Sequence, residues 1–129
     1  MNEINITAKL FLLLGSANAM LAVILGAFGA HALKTRLDES LLKIYHTGVE
    51  YHCYHALGLI LVGIIAMNIP TNIWLKSSGW MMFAGIILFS GSLYFLSILN
   101  IRWLGMITPL GGLLFILAWL SLCIAIFKH

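Results

Sequence analysis

Residues 8–30 read AKLFLLLGSANAMLAVILGAFGA, a stretch in which Lys9 is the only charged side chain. At a helical rise of 1.5 Å per residue, a run of about 20 apolar residues crosses the roughly 30 Å of hydrocarbon in a bilayer. Lys9 and the small residues Ala30 and Ala32 resemble parts of a secretory signal peptide, but the apolar run is too long for a typical signal core. The stretch therefore predicts a retained transmembrane helix.

Three further apolar runs follow, at about residues 52–69, 79–99 and 109–127. Because a bilayer offers no water to backbone amides, each run must be helical or part of a closed barrel. Barrel strands alternate in polarity over about ten residues, whereas these runs stay apolar over nearly twice that length. The sequence predicts an all-α fold, an integral membrane four-helix bundle that forms a single domain over residues 1–129.

The connections between the runs carry helix start and stop signals. Pro70 disfavours helical geometry at Ile69 and ends the second helix. Thr108 followed by Pro109 is typical of a helix N-terminus. Only the first connection is long, and there Asp38 precedes an amphipathic segment. We expect a short helix at about residues 38–47, which either lies at the membrane interface or continues into the second span.

Charge is scarce, since charged residues make up 9% of the chain and the net charge is +3. The basic residues are scattered, so they form no surface for a phosphate backbone, and nucleic-acid binding is not expected. Membrane lipids are the expected partners. The basic residues divide between the two ends of the predicted bundle as Lys34, Arg36, Lys43 and Arg102 against Lys9, Lys76 and Lys128. This small excess favours both termini outside the cytoplasm.

Four of the five histidines, His31, His46, His52 and His55, lie between the first two apolar runs, with Glu50 among them. Ionisable residues at a membrane edge suggest a functional site. On a helix, Glu50 pairs with His46 and points away from His55, so one helix cannot bring Glu50 and His55 to one metal ion. A metal site would need His31 beside His52 and His55, without any known zinc-motif spacing. We predict no metal ligand and no catalytic residue.

Small residues recur three or four positions apart along the first run, and such stripes let helices approach closely in lipid. They favour packing within the bundle, with a homo-oligomer interface as the alternative. Asn18, Ser90 and Ser92 lie inside the predicted spans, where a polar side chain needs a partner. We expect interhelical hydrogen bonds from these residues, or a polar pocket for a lipid or small amphiphile.

Four motifs carry a family resemblance: GAFGAHAL at 26–33, YHCYHAL at 51–57, FSGSLY at 89–94 and TPLGG at 108–112. In order and spacing they resemble the YgdD-like family of small bacterial membrane proteins, also called uncharacterised protein family 0382 or domain of unknown function 423, to which eukaryotic transmembrane protein 256 is related. The resemblance covers nearly the whole chain and implies a four-helix protein of the bacterial inner membrane, without an established activity, substrate or cofactor. It marks His31, Tyr51, His55, Ser90, Ser92, Tyr94, Thr108 and Pro109 as signature residues without roles, and implies that Glu50 and His52 are variable.

Two functions remain open. The first is a non-enzymatic bundle that binds lipid or a partner membrane protein, which includes a second copy of itself. The alternative is a ligand-binding membrane protein that takes a metal, a quinone or a lipid headgroup at the end carrying His31 and His55. Because Tyr94 lies in the half of its helix nearest that end, we expect His31, His55 and Tyr94 to form a hydrogen-bonded cluster. No cofactor is expected.

Overall fold

The computed structural model describes residues 4–129. Within them, four helices are long and apolar enough to cross a membrane. They are α1 (Ile6–Leu33), α2 (Glu39–Asn68), α3 (Ile73–Leu99) and α4 (Thr108–Phe127), which a short 3-10 turn at Arg102–Met106 precedes. The predicted all-α, four-helix membrane fold is confirmed.

Two helices begin well before the apolar runs that predicted them. Helix α2 starts at Glu39, so the segment expected at 38–47 is its first part and not a separate interfacial helix. The Asp38 carboxylate accepts a hydrogen bond from the Leu41 amide at 2.8 Å. This bond and one from the Ser40 hydroxyl lower the pKa of the Asp38 carboxyl. Hydropathy marks the membrane part of a helix, whereas the capping side chain marks where it starts.

Helix α3 starts in the same way, at Ile73 and not at residue 79. The Asn72 side chain accepts a hydrogen bond from the Leu75 amide at 3.0 Å. The first turns of α3 contain polar residues, including Lys76 and Ser78, so hydropathy alone did not identify this part of the helix.

Helix α1 continues to Leu33, and its last five residues, Gly29–Leu33, form a π turn.

The helices pack in chain order, α1 on α2, α2 on α3, and α3 on α4, whereas α1 makes few contacts with α3, among them those of Phe11 with Gly79 and Trp80. Helix α1 approaches α2 closely through its small residues. A Cβ added at Gly15 would lie 2.7 Å from the Ile60 amide nitrogen and 2.9 Å from the Ala56 carbonyl oxygen, and one at Gly29 would overlap the Tyr45 ring. The small-residue stripe of α1 is therefore used for packing inside the chain, as predicted.

Helix α3 contains a π turn at Ile86–Gly91, where it contacts both of its neighbours. Phe89 packs against Gly111 of α4 so closely that a Cβ on the glycine would lie 2.4 Å from the Phe89 nitrogen. The next residue, Ser90, donates a hydrogen bond to the Gly48 carbonyl oxygen of α2 at 2.7 Å. Asn100, with a φ of 54°, ends the helix in the left-handed conformation.

The surface of the bundle is suited to lipid. Many large apolar side chains on the helices face outward, including Leu13, Val23, Ile87, Phe95 and Ile116. The buried core, by contrast, joins all four helices through residues that include Phe11, Leu59, Met82 and Phe115.

Aromatic and basic side chains lie at both ends of the bundle, as is typical of membrane interfaces. The Lys128 ammonium lies 5.0 Å from the centre of the Trp74 ring at the end that carries the termini. Arg102 and Trp103 are exposed at the opposite end. The start of α1 and the end of α4 therefore lie at the same end of the bundle.

Candidate functional site

Asn18, His52 and Tyr94 form a hydrogen-bonded triad that connects three helices. His52 Nδ1 lies 2.8 Å from the Tyr94 hydroxyl oxygen on α3. His52 Nε2 lies 3.0 Å from Asn18 Oδ1 on α1, and Asn18 Nδ2 donates to the Leu14 carbonyl oxygen at 2.8 Å. The His52 side chain is 2% exposed, so α2 holds a polar ring inside the bundle with both ring nitrogens paired.

The direction of each hydrogen bond in the triad follows from its partners. A carbonyl oxygen accepts only, so Asn18 Oδ1 must receive the proton of His52 Nε2. In a neutral imidazole the other nitrogen is then an acceptor, and the Tyr94 hydroxyl donates to His52 Nδ1. The protons run one way, from Tyr94 through His52 and Asn18 to the α1 backbone. Tyr94 therefore has no hydroxyl proton left for another partner.

A cavity of about 580 Å³ opens beside the triad, between α1 and α3. We call it the α1–α3 groove. It exists because α1 packs along α2 and makes few contacts with α3, among them those of Phe11 with Gly79 and Trp80. Its wall is apolar apart from the triad and Ser92, with Leu21, Leu25, Ile87 and Phe95 among the lining side chains. Its volume falls within the range of small-molecule sites in proteins.

His55 lies in a second, aromatic cluster that faces α4. Its Nδ1 donates to the Tyr51 carbonyl oxygen at 2.7 Å, and Trp119 Nε1 donates to its Nε2 at 3.1 Å. The imidazole stacks on the Phe115 ring with 3.5 Å between the ring centroids and an interplanar angle of 8°. Both ring nitrogens are used and the side chain is 5% exposed. This arrangement fits a histidine that holds α2 against α4.

The predicted hydrogen-bonded cluster of His31, His55 and Tyr94 was wrong. His31 is exposed at the end of α1, His55 bonds to Tyr51 and Trp119, and the Tyr94 hydroxyl bonds to His52. Since Gly29 packs against Tyr45, His31 lies near the start of α2. His55 lies about ten positions further along α2, or about 15 Å deeper. The early start of α2 is what separates the two histidines.

The remaining signature residues form separate helix contacts. Ser90 donates to the Gly48 carbonyl oxygen of α2, and the Ser92 hydroxyl lies 2.7 Å from the Thr108 hydroxyl at the start of α4. Tyr51 is partly exposed, and its ring centroid lies 4.6 Å from that of Phe89. The interhelical hydrogen bonds predicted for Asn18, Ser90 and Ser92 are confirmed.

His52, which the family resemblance set aside as variable, lies at the centre of the triad. One sequence signal pointed to such a residue. Asn18 is polar and lies in the middle of an apolar run, so it required a partner from another helix. The spacing of the histidines did not show which of them would face Asn18.

His46 and Glu50 do not join the triad. Both are exposed on the outer face of α2, where they line a shallow surface with Lys43. Among residues 4–129, no group of three or more histidine, cysteine, aspartate or glutamate side chains is arranged to hold a metal ion. Cys53 and Cys123 are free thiols.

Residues 25–112 match the family model described as a protein of unknown function, DUF423. The chain is 51% identical over 121 residues to the UPF0382 membrane protein YwdK of Bacillus subtilis, covering 94% of this chain and 98% of that protein. It is 48% identical over 120 residues to a UPF0382 membrane protein of Staphylococcus epidermidis, covering 93% of this chain and 97% of that protein. No solved structure matches the chain. The groove and its triad thus lie in a membrane protein that belongs to the DUF423 (UPF0382) family.

Proposed function

We propose that this protein is a non-enzymatic, multi-pass protein of the bacterial inner membrane that binds a membrane amphiphile in the α1–α3 groove. The helical fold supports a location in the inner membrane, because proteins that span the bacterial outer membrane are typically closed barrels. The relatives in Bacillus and Staphylococcus support a bacterial membrane protein.

The observation that carries the binding function is an apolar cavity that opens sideways beside a buried polar triad. Asn18 lies about 18 Å from one end of α1 and about 22 Å from the other, close to the middle of the membrane. Polar side chains at this depth are costly and commonly mark a ligand path. The apolar wall provides a surface for a hydrocarbon chain, and the triad provides hydrogen bonds for a polar group.

The end of the bundle that carries His31 and His55 is a weaker candidate for a ligand site than the α1–α3 groove. His31 is exposed, and both ring nitrogens of His55 are already bonded inside the aromatic cluster. A metal or a headgroup at that end would meet no preformed cluster of the two histidines. A second copy or another membrane protein is the competing occupant of the groove.

Filling the groove tests the proposal. Ala17 and Ala27 are both exposed on α1, but Ala17 lines the groove and Ala27 does not. We expect Ala17→Phe to reduce the amount of co-purified amphiphile by at least about tenfold, because the ring occupies the cavity. Ala27→Phe, the matched control, should retain it. Native mass spectrometry of gently purified protein, followed by lipid analysis, measures the bound amount.

Equal lipid content in the wild type and both variants would contradict the binding function. A protein partner or a second copy that is lost from Ala17→Phe, while lipid content stays unchanged, would assign the groove to protein association instead.

A further inference from the structure

We propose that the α1–α3 groove holds an acyl chain of an anionic phospholipid, and that the phosphate of this lipid lies at Arg102. The lipid then belongs to the leaflet at the end of the bundle opposite the termini, which we call the Arg102 end. This inference rests on the proposed amphiphile-binding function, and it adds the class of the lipid and the direction in which it lies. It follows from where the groove opens, from where it is closed and from the charges at its opening.

The groove reaches the Arg102 end of the bundle. Its wall includes Leu104 and Ile107, which belong to the connection between α3 and α4. Arg102 is the first residue of the 3-10 turn in that connection, and it is exposed. At a rise of about 2 Å per residue it lies only about 4 Å along the turn from Leu104, which is less than the reach of an arginine side chain.

The Arg102 charge is also felt across the opening, at the connection between α1 and α2. The pKa of the Asp38 carboxyl is lowered mainly by its hydrogen bonds from Leu41 and Ser40, and the charge of Arg102 lowers it further. Arg102 therefore lies between the two connections that border the groove at this end. A phosphate at the opening would be within its reach.

The opening is basic, whereas the groove itself carries no charge. The exposed basic residues at this end outnumber the exposed acidic ones, with Lys34, Arg36, Lys43 and Arg102 against Asp38, Glu39 and Glu50. No lysine, arginine, aspartate or glutamate lines the groove within the described part of the chain. A charged headgroup is costly to bury without a partner, so it is stable at the opening and not inside. An apolar wall with a cation at its end matches an amphiphile that has an anionic headgroup.

Aromatic side chains close the groove at its other end. The lining residues nearest the termini are Ala17 on α1 and Phe83 on α3. Beyond them the Phe11 ring lies against α3, where a Cβ added at Gly79 would overlap it, and its centroid is 5.6 Å from that of Trp80. The Trp80 ring centroid is in turn 6.3 Å from that of Phe83. A chain that lies along the groove therefore ends here and extends toward the Arg102 end.

The length of the groove matches one leaflet. Along α3 it runs from Phe83 to Phe95, which are twelve residues or about 18 Å apart. One leaflet contributes about half of the roughly 30 Å of hydrocarbon in a bilayer, or about 15 Å. The groove therefore fits a chain that runs from the interface to the middle of the membrane. The neutral ester groups of a phospholipid lie between the phosphate and the chains, on the side of the triad nearer Arg102.

The test compares two phospholipids that have the same acyl chains and differ in the headgroup: phosphatidylglycerol, which is anionic, and phosphatidylcholine, which is zwitterionic. The full chain is reconstituted in nanodiscs that contain both in equal amounts, and native mass spectrometry measures the lipid that stays bound. Lipid that is lost from Ala17→Phe and kept by Ala27→Phe is counted as groove lipid. We expect about fivefold more phosphatidylglycerol than phosphatidylcholine in the groove, as one cation near the headgroup would give.

Variants connect the headgroup preference to Arg102. Arg102→Gln should reduce the preference for phosphatidylglycerol to about twofold or less. Lys43→Gln is the matched control, because it removes a cation from the same end of the bundle but on the outer face of α2, outside the groove, and it should leave the preference intact. Both side chains are exposed, so neither substitution opens the core. If either variant fails to fold, the comparison of the two lipids on the wild type still decides the inference.

The outcomes separate the two proposals. If both lipids bind the groove equally and both are lost from Ala17→Phe, the anionic class is overturned while amphiphile binding stands. If Arg102→Gln and Lys43→Gln lower the preference equally, the placement of the phosphate at Arg102 is wrong. Hexadecanoate, added in an amount equal to phosphatidylglycerol, distinguishes a free fatty acid from a phospholipid, and its displacement of the groove lipid would overturn the phospholipid assignment. If no lipid shows binding that depends on Ala17, both proposals fail.

Discussion

His52 and His55 lie three residues apart on α2 and have opposite proton positions. His52 carries its proton on Nε2 and directs it to Asn18, whereas His55 carries its proton on Nδ1 and directs it to the Tyr51 carbonyl. The neighbouring groups determine which nitrogen carries the proton, because each ring has one nitrogen next to an oxygen that can only accept a hydrogen bond. At the scale of single residues, the same side chain is therefore part of a candidate ligand site in one case and a helix contact in the other.

The structural role of His55 can be tested by its removal. We expect His55→Ala to lower the free energy of unfolding by about 2 kcal/mol, because it removes the stacking on Phe115 and leaves the Trp119 N–H without its acceptor. Reversible unfolding in mixed detergent micelles measures the change. His31→Ala is the matched control, since His31 is exposed, and it should change stability by less than about 0.5 kcal/mol. Equal losses in the two variants would contradict this assignment.

At the scale of helices, the π turn of α3 is where α2, α3 and α4 meet. It brings Phe89 against Gly111 and Ser90 against the Gly48 carbonyl. Gly111 and Gly112 are adjacent in sequence but face different surroundings. A Cβ at Gly111 would overlap the Phe89 backbone, whereas one at Gly112 would lie 3.7 Å from the Phe89 ring, an ordinary contact.

The two glycines therefore provide a matched pair of substitutions. Gly111→Ala should destabilise the bundle by about 1–3 kcal/mol, because backbone cannot move aside as a flexible side chain does. Gly112→Ala should be neutral or slightly stabilising, since alanine favours the helix. Thermal unfolding of both variants under identical detergent conditions measures the difference. A Gly112→Ala loss as large as that of Gly111→Ala would show that the helix contact is placed incorrectly.

At the scale of the whole molecule, four crossings bring both termini to one side, and the basic residues divide unevenly between the two ends. Lys34, Arg36, Lys43 and Arg102 belong to the end opposite the termini. The orientation rule places the more basic end in the cytoplasm. The termini are then expected outside it.

Reporter fusions test the orientation. We expect a green fluorescent protein fused to either terminus to stay dark and an alkaline phosphatase fused to the C-terminus to be active, because each reporter folds on one side of the membrane. Fluorescence from both termini would reverse the orientation and leave the fold unchanged. Fluorescence from one terminus alone would contradict the four-helix topology.

The amino-acid sequence by itself determined that this is a membrane protein with four helices, and it indicated that Asn18, Ser90 and Ser92 would bond across helices. These conclusions depend on apolar run length and on the cost of an unpaired polar group in lipid, which are local properties of the chain.

Only the tertiary structure decided that Asn18 meets His52, that His55 meets Trp119, and that a groove remains between α1 and α3. These contacts depend on how far each helix is rotated about its axis and on where α2 begins. Packing of the helices sets both the rotation and the start of α2. Gly15 and Gly29 allow α1 to lie close against α2, and α1 then makes few contacts with α3. The position of a histidine in the sequence could not reveal which neighbour it would meet.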